Sequence, residues 1–175
     1  NRHPEQPTSI PEMVDGIKIP GNQSLSDADR ILRTNELFCS YHLKISNIIV
    51  SLRDRGVAPA LFSVHTFTPS LNGKVRPWDI GVLWNQDPRI AEMLISQLRQ
   101  NPDNLVVGDN LPYSGSDFAY SLDIHAGTSG LPNCAVEIRQ DLADTDDYIA
   151  YWVDILTEAL NKIINQPYIH RVKHY

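Results

Sequence analysis

The sequence predicts an α/β fold in which a mixed, largely parallel sheet is flanked by helices. Short apolar runs rich in strand-forming residues occur at 59–67, 78–84 and 134–138, as in strands that are buried on both faces. Segments whose apolar residues recur every three or four positions, as on one face of a helix, lie between and around these runs. Strands that alternate with helices along a chain are typical of such a sheet.

The chain begins with an irregular segment and a long helix. Prolines and glycines are spread over 3–24, and because proline lacks a backbone donor this segment is expected to be extended. Ser26, followed by Asp29 three residues later, matches the capping box of a helix N-terminus. The helix ends at Gly56 and carries an apolar stripe formed by Ile31, Phe38, Tyr41, Ile45, Ile48 and Leu52.

A second helix is predicted after the strand at 78–84. Asp87 provides an N-cap and Pro88 a first-turn proline, and an apolar face follows, formed by Ile90, Leu94 and Leu98. Beyond this helix a polar loop at 108–115 is expected among three further strands, at 105–107, 120–124 and 134–138.

The last helix is expected to start at Asp144 or Thr145, either of which can cap it, and to stop before Pro167. No repeat and no linker divides the sequence, so a single domain is predicted over residues 1–175. The apolar face of the last helix consists of Ile149, Trp152, Val153, Leu156, Leu160 and Ile163.

Composition and charge exclude several classes of function. The 175 residues include 15 basic and 21 acidic side chains, with a net charge of −6, so no nucleic-acid partner is expected. The longest apolar runs are far shorter than the roughly 20 residues of a membrane-spanning helix, so no membrane partner is expected. Cys39 and Cys134 do not make a disulfide framework and suit a reducing compartment, which predicts a cytoplasmic location.

Two polar side chains stand at the ends of apolar strands, where ligands gather in an open α/β sheet. His65 follows the run 61–64, and Glu137 follows the run 134–136. Burying a carboxylate there costs several kcal/mol unless it is paired or coordinated, so both residues are candidates for chemistry. The structural alternatives are an ion pair of Glu137 with Arg139 and a core histidine bonded to a backbone carbonyl at His65.

Three arginines lie beside glycine- or proline-containing segments: Arg2, Arg76 and Arg139. A guanidinium matches a carboxylate bidentately, so these residues could bind a small-molecule anionic substrate, or they could be solvated surface side chains. Within the loop 108–115, Asn110 and Tyr113 are further hydrogen-bonding candidates, although such a loop could equally be a simple turn. His125 is placed in a loop and is expected to be solvated.

Several longer segments together resemble the N-formylglutamate amidohydrolase family. The similarity runs in the same order over nearly the whole chain, which makes it more specific than any single short motif. The segments are DGIKIPGN (15–22), SVHTFTP (63–69), RPWDIGVLWNQDPR (76–89), VVGDNLPYSG (106–115), SLDIHAG (121–127) and GLPNCAVEIRQDL (130–142).

This resemblance implies a zinc-carboxypeptidase-like (phosphorylase/hydrolase-like) fold and a zinc-dependent cleavage of a linear amide C–N bond. His65 is then expected to be a metal ligand, and Glu137 the catalytic carboxylate that takes a proton from water and passes it to the leaving amine. The implied substrate is an N-formyl or other N-acyl derivative of an acidic amino acid, such as N-formylglutamate. The substrate-binding residues implied are Asn1, Arg2, Arg76, Tyr113 and His125, and Arg139 is added to them as an arginine beside a loop.

Some expectations concern what the chain lacks. The family's first two metal ligands are expected upstream of its Asn-Arg pair, which corresponds here to Asn1 and Arg2, so the single zinc ion would have an incomplete site in this chain. The domain is accordingly expected to lack its N-terminal part and to self-associate through exposed strand edges. Leu111 and Ile124 also replace residues expected to be more polar, which concerns the substrate pocket rather than the hydrolytic core. The alternative to an enzyme is a non-catalytic domain that retains the fold without a complete metal site and binds a small acid through Arg2 and Arg139.

Overall fold

In a computed structural model that describes residues 2–175, the chain forms two compact units, Asn1–Gly56 and Val57–Tyr175. The first unit contains a short antiparallel hairpin followed by two helices that a π-helical turn connects. Its elements are β1 (Met13–Val14), β2 (Ile17–Lys18), α1 (Asp27–Arg33), the π-helical turn Thr34–Cys39 and α2 (Ser40–Asp54).

The long helical segment begins and ends where the sequence signals place it. The Ser26 hydroxyl accepts a hydrogen bond from the Asp29 N–H at 3.1 Å, and the Asp29 carboxylate accepts one from the Ser26 N–H at 3.2 Å. The predicted capping box is therefore confirmed. After α2, Gly56 has a φ of +78°, a conformation that favours glycine at a helix end.

The segment expected to be irregular contains the hairpin of β1 and β2. Its turn consists of Asp15 and Gly16, both at positive φ. An Asp-Gly pair at these angles is typical of two-residue hairpin turns, because their twist matches that of the strands. The prediction of an irregular segment was therefore wrong at 13–18.

The apolar stripe predicted along this helical segment is not a buried face. Ile31, Tyr41 and Ile48 are exposed, whereas His42 and Ile49 are buried. Since a π-helical turn closes on the fifth residue rather than the fourth, residues after it are rotated relative to those before it. A regular spacing read from the sequence does not include that rotation.

The strands of the second unit are β3 (Leu61–Phe67), β4 (Ser70–Leu71), β5 (Lys74–Val75), β6 (Ile80–Leu83), β7 (Val107–Asp109) and β8 (Asn133–Arg139). Four of them form a mixed sheet with the order β3-β8-β6-β7. The pairs β3–β8 and β6–β7 are parallel, and β6 is antiparallel to β8. A separate two-stranded hairpin is formed by β4 and β5. The prediction of a mixed α/β sheet is thus confirmed.

The α-helices of the second unit are α3 (Arg89–Arg99), α4 (Gly115–Phe118), α5 (Tyr120–His125) and α6 (Asp146–Ile164). The strand predicted at 120–124 is wrong, because these residues form α5. Ser121, Leu122 and His125 are its buried residues, a helical spacing that the alternating apolar residues of this short segment concealed. The short strand predicted at 105–107 lies two residues later, as β7.

The two faces of the sheet are covered differently, since successive side chains of a strand point to opposite faces. One face packs against α3 and α6, where Trp152, Leu156 and Ile163 are buried but Ile149 and Val153 are exposed. On the other face, which we call the site face, Leu83 and Ala135 pack with residues of the α4–α5 segment, namely Ala119 and Leu122. Among the described residues, no helix is long and apolar enough to cross a membrane.

Candidate functional site

His65 and Glu137 lie side by side on the sheet. They are paired in register between the parallel strands β3 and β8, and paired residues of neighbouring strands point to the same face. Both side chains therefore belong to the site face, opposite the large core of α3 and α6. The structure brings together the two residues that the sequence indicated separately.

Glu137 carries a buried carboxylate oxygen. Its side chain is partly buried, and Oε2 has no hydrogen-bond partner among residues 2–175. Burial raises the pKa of this carboxyl to about 7, although the Arg76 guanidinium acts in the opposite direction. A carboxyl with a pKa near neutrality can both accept and return a proton at physiological pH.

Arg139 is not the partner of Glu137. Its Nε donates to the Asp141 carboxylate at 2.8 Å, and its Nη1 lies 3.4 Å from the Asp79 carboxylate. The ion pair considered as a structural explanation of Glu137 is therefore absent among the described residues. Arg139 instead connects the end of β8 to the segment before β6.

His65 lies on an exposed stretch of β3, and its ring forms a hydrogen bond with the Ser63 side chain of the same strand. The Ser63 Oγ is 2.9 Å from the His65 Nε2. Although the side chain is exposed overall, desolvation by its surroundings lowers the pKa of the imidazole. The ring is therefore neutral near pH 7, which is the form that ligates a metal.

Arg76 and Tyr113 form the cationic side of the site face. Arg76 is buried, and its Nη1 donates to the Tyr113 hydroxyl at 2.9 Å and approaches the Thr68 hydroxyl at 3.3 Å. The guanidinium carbon lies 4.8 Å from the centroid of the Tyr113 ring, within the range of a cation–π contact. Tyr113 packs in turn against Phe118, with ring centroids 4.9 Å apart.

Two glycines that the sequence analysis did not identify shape this face. Gly81 is paired with Glu137 across β6 and β8, and Gly108 is paired with Gly81 across β6 and β7. A Cβ at either position would overlap the backbone carbonyl of Leu111. The loop 108–115 therefore lies directly on the sheet beside Glu137, which only residues without a side chain permit. The sequence signal for this contact was a glycine in each of the strands β6 and β7.

Asn110 holds this loop in place rather than facing a ligand. Its side-chain oxygen accepts hydrogen bonds from the Trp84 N–H at 3.0 Å and from the Gly115 N–H at 2.9 Å. The Asn110 side-chain oxygen therefore bonds one backbone N–H just after β6 and another at the start of α4.

Of the other predicted binding residues, Arg2 belongs to the first unit and His125 to the second. Asn1 lies outside the described residues, and Arg2 is an exposed residue of the first unit whose guanidinium donates to the Thr8 carbonyl at 3.2 Å. His125 is buried at the end of α5, and burial lowers its pKa. The expectation of a solvated loop histidine was wrong, because residues 120–125 form a helix that packs on the sheet.

The described residues do not provide a complete set of metal ligands. No three His, Cys, Asp or Glu side chains of residues 2–175 are grouped so that they could hold a metal ion. His65 and Glu137 nevertheless have the chemistry of one imidazole ligand with an unpartnered carboxylate beside it. They fit the ligand and base of a zinc hydrolase, which needs two further protein ligands.

Comparisons with known proteins identify the family and relatives of similar fold. A family profile described as N-formylglutamate amidohydrolase matches residues 1–143. A gene product from Agrobacterium tumefaciens of known structure is 32% identical, with a TM-score of 0.86 over 93% of this chain. The N-formylglutamate amidohydrolase from Ralstonia eutropha JMP134 is 15% identical, with a TM-score of 0.59 over 80% of this chain, which shows likeness of fold alone.

The chain is shorter than both of these structures. It spans 64% of the Agrobacterium protein and 56% of the Ralstonia protein. No curated protein matches the sequence.

Proposed function

Because the chain belongs to the N-formylglutamate amidohydrolase family, we propose that it hydrolyses the N-formyl or another N-acyl amide of an acidic amino acid, such as N-formylglutamate. The observation that carries this proposal is the Glu137 carboxylate, whose Oε2 is buried without a hydrogen-bond partner among residues 2–175. A buried and unpaired carboxylate is costly for a purely structural residue. Its position beside His65 favours a role in proton transfer.

Glu137 moves the protons of the reaction. The ionised carboxylate takes a proton from a water molecule whose oxygen attacks the acyl carbon, and the protonated carboxyl then gives that proton to the amide nitrogen as the C–N bond breaks. The products are the free amino acid and the carboxylic acid of the acyl group. A carboxyl whose pKa is about 7 suits both directions of transfer.

Arg76 binds the negative charge of the substrate in this proposal. Arg76 Nη1 makes hydrogen bonds to Tyr113 and Thr68. A guanidinium held on one side can bind a substrate carboxylate with its remaining donors, and a fixed orientation brings the acyl carbon toward Glu137. Tyr113 then contributes by holding Arg76 in position.

We propose zinc as the cofactor, in a zinc-carboxypeptidase-like site to which His65 contributes one ligand. When bound, the ion would increase the acidity of the attacking water. Two free cysteines, Cys39 and Cys134, favour a reducing compartment, so the proposed location is cytoplasmic.

A non-catalytic acid-binding domain is the second candidate function. The observation that favours it is the absence, among residues 2–175, of a group of three ligands for a metal ion. Such a domain would use Arg76 to bind a carboxylate and would leave Glu137 without a chemical role. The two functions differ in whether bound N-formylglutamate is cleaved.

The test measures formate release from N-formylglutamate by the protein expressed at the full length of its gene, with metal content determined before and after treatment with a chelator. The native protein is expected to hold about one zinc per chain and to lose its activity with the metal. Glu137→Gln is expected to reduce kcat roughly 100- to 10,000-fold, the range of general acid–base catalysis. Arg76→Lys is expected to raise KM, because lysine cannot form the bidentate contact.

Glu158→Gln is the matched control, because Glu158 is an exposed carboxylate of α6 that pairs only with Lys162 among the described residues. This variant is expected to retain native kcat and KM. Binding of N-formylglutamate without formate release, in a protein that contains no metal, would contradict the enzyme proposal and support the acid-binding domain.

A further inference from the structure

The hydroxyl of Ser63 is directed at the ring of His65. The two residues are separated by one position on β3, so their side chains lie on the same face of the strand. Ser63 Oγ lies 2.9 Å from His65 Nε2. No other hydrogen bond of the Ser63 side chain is present among residues 2–175, and the residue paired with Ser63 across β8 is Ala135, which has no polar side-chain atom.

This contact occupies one of the two ring nitrogens. A neutral imidazole carries a hydrogen on one nitrogen and a lone pair on the other, and the partner of one nitrogen decides which of them can ligate a metal. Ligating histidines almost always donate their second ring N–H to a nearby acceptor, which fixes both tautomer and orientation. The Ser63 oxygen lies at the distance at which it can accept a hydrogen bond from Nε2–H.

We propose that Ser63 is a positioning residue for His65: its hydroxyl accepts a hydrogen bond from Nε2–H, so that Nδ1 keeps its lone pair and faces the metal. This inference rests on the proposed function, since it assumes that His65 is a zinc ligand. It goes beyond that function by assigning a role to a residue two positions before the ligand, and by naming the ring nitrogen that the ligand uses.

Thr66 provides a matched control for this assignment. It also carries a hydroxyl next to His65 on β3, but because successive side chains alternate it belongs to the opposite face of the strand. Removing the Thr66 hydroxyl changes the polarity of the same strand without touching the His65 ring. Ser63→Thr provides the conservative variant, since it retains a hydroxyl at position 63 and suits a β-strand.

The first measurement concerns the His65 ring alone, in metal-free protein expressed at the full length of its gene. Protein labelled with ¹⁵N at histidine is studied by two-bond ¹⁵N–¹H correlation at a pH above the imidazole pKa, with His65→Gln used to assign the signals. Native protein, Ser63→Thr and Thr66→Ala are expected to show a single tautomer with hydrogen on Nε2. Ser63→Ala is expected to show a mixture of both tautomers.

The second measurement adds zinc to the same samples and follows the His65 ring nitrogens. In native protein the Nδ1 signal is expected to shift on binding, and Ser63→Ala is expected to weaken the apparent zinc affinity about 10-fold, the lower end of the range for residues that support a ligand. Ser63→Thr should retain the native affinity, as should Thr66→Ala. These changes would not follow from a merely structural role of Ser63.

Two results would overturn the proposal in different ways. An unchanged tautomer in Ser63→Ala would show that Ser63 does not hold the ring, whatever the metal does. A changed tautomer in Ser63→Ala, with no shift of either His65 nitrogen when zinc is added to native protein, would remove His65 from the metal site. That second result would refute the proposed zinc ligand and Ser63's role in serving it, while the hydrogen bond itself would stand.

Discussion

The carboxyl of Glu137 shows how the neighbours of one residue change its chemistry. On the sheet its side chain lies between His65 on β3 and Gly81 on β6, and burial raises its pKa to about 7. In the unfolded chain the same group has its usual pKa near 4.5. This difference makes folding stability depend on pH.

The sign of that dependence follows from the two pKa values. Below pH 4.5 the carboxyl is protonated in both states, whereas between pH 4.5 and about 7 it is ionised in the unfolded chain and still protonated in the folded one. Stability contributed by this group is therefore lost as pH rises through this window and is constant above it.

Glu137→Gln is expected to become more stable relative to native protein by about 1 to 3 kcal/mol between pH 4.5 and 7, because glutamine does not ionise. The upper figure corresponds to the full shift, and solvent screening of a partly buried group reduces it. Urea denaturation of both proteins across this pH range, with chelator present, measures the difference. A constant difference would show that Glu137 titrates as an ordinary surface carboxylate.

For single residues, the sequence identified the candidate side chains of the site but not their partners. His65 and Glu137 were recognisable because each is a polar residue that follows an apolar run. Their pairing in register depends on which strands are neighbours, and β3 and β8 are separated by more than 60 positions along the chain. The same limitation explains why Arg139 was considered as the partner of Glu137, although it pairs with Asp79 and Asp141.

Among the elements, the loop 108–115 depends on two glycines beneath it. Gly81→Ala is expected to destabilise the protein by about 1 to 3 kcal/mol, because the new Cβ overlaps the Leu111 carbonyl and forces the loop away from the sheet. Gly127→Ala is the control, since a Cβ there meets its nearest atom at an ordinary 3.7 Å. Thermal and urea denaturation of both variants measure the effect, and equal stability of the two would contradict the close contact of loop and sheet.

The start of α6 depends on a single hydroxyl. The Thr145 side chain accepts a hydrogen bond from the Tyr148 N–H at 3.2 Å, so it caps a helix whose Trp152, Leu156 and Ile163 enter the core. Thr145→Ala is expected to cost about 1 kcal/mol of unfolding free energy, and Thr145→Ser should retain most of the stability. If urea denaturation gave the same loss for both variants, the cap would not be the cause.

Element types were predictable where local signals were strong and unopposed. The capping box at Ser26 and the apolar runs of β3, β6 and β8 gave elements of the predicted kind. The segment 120–124 was predicted as a strand because its apolar residues alternate over only five positions, too few to distinguish the two periods. Its contact with Leu83 and Ala135 through Leu122 is a tertiary interaction that the local pattern does not contain.

For the second unit as a whole, a buried ion pair connects the sheet region to the end of the chain. Arg89 and Asp87 are both buried and lie 2.5 Å apart. The same guanidinium donates to the carbonyls of Arg171 at 2.6 Å and Gly130 at 3.2 Å. Arg89 thus holds the segment that follows α6 against the residues that precede β8.

Arg89→Ala is expected to destabilise the protein by about 3 to 5 kcal/mol, because it leaves the buried Asp87 carboxylate without its partner. Lys162→Ala, which removes the exposed pair with Glu158, should change stability by less than about 1 kcal/mol. Urea denaturation measures both, and faster proteolysis after α6 should accompany the first. A loss in Arg89→Ala no larger than that in Lys162→Ala would show that the pair does not stabilise the fold.

The sequence by itself determined the fold class and the family of this protein, and it indicated His65 and Glu137 as candidate site residues. These properties depend on local signals, namely apolar runs, helix caps and segments shared with a family. Such signals can be recognised without knowing which elements are neighbours in the fold. Only the tertiary structure decided that His65 lies beside Glu137, that Ser63 bonds to the His65 ring, and that the loop 108–115 rests on two glycines. The physical reason is that register, burial and the pKa of a carboxyl arise from contacts between residues distant in the chain.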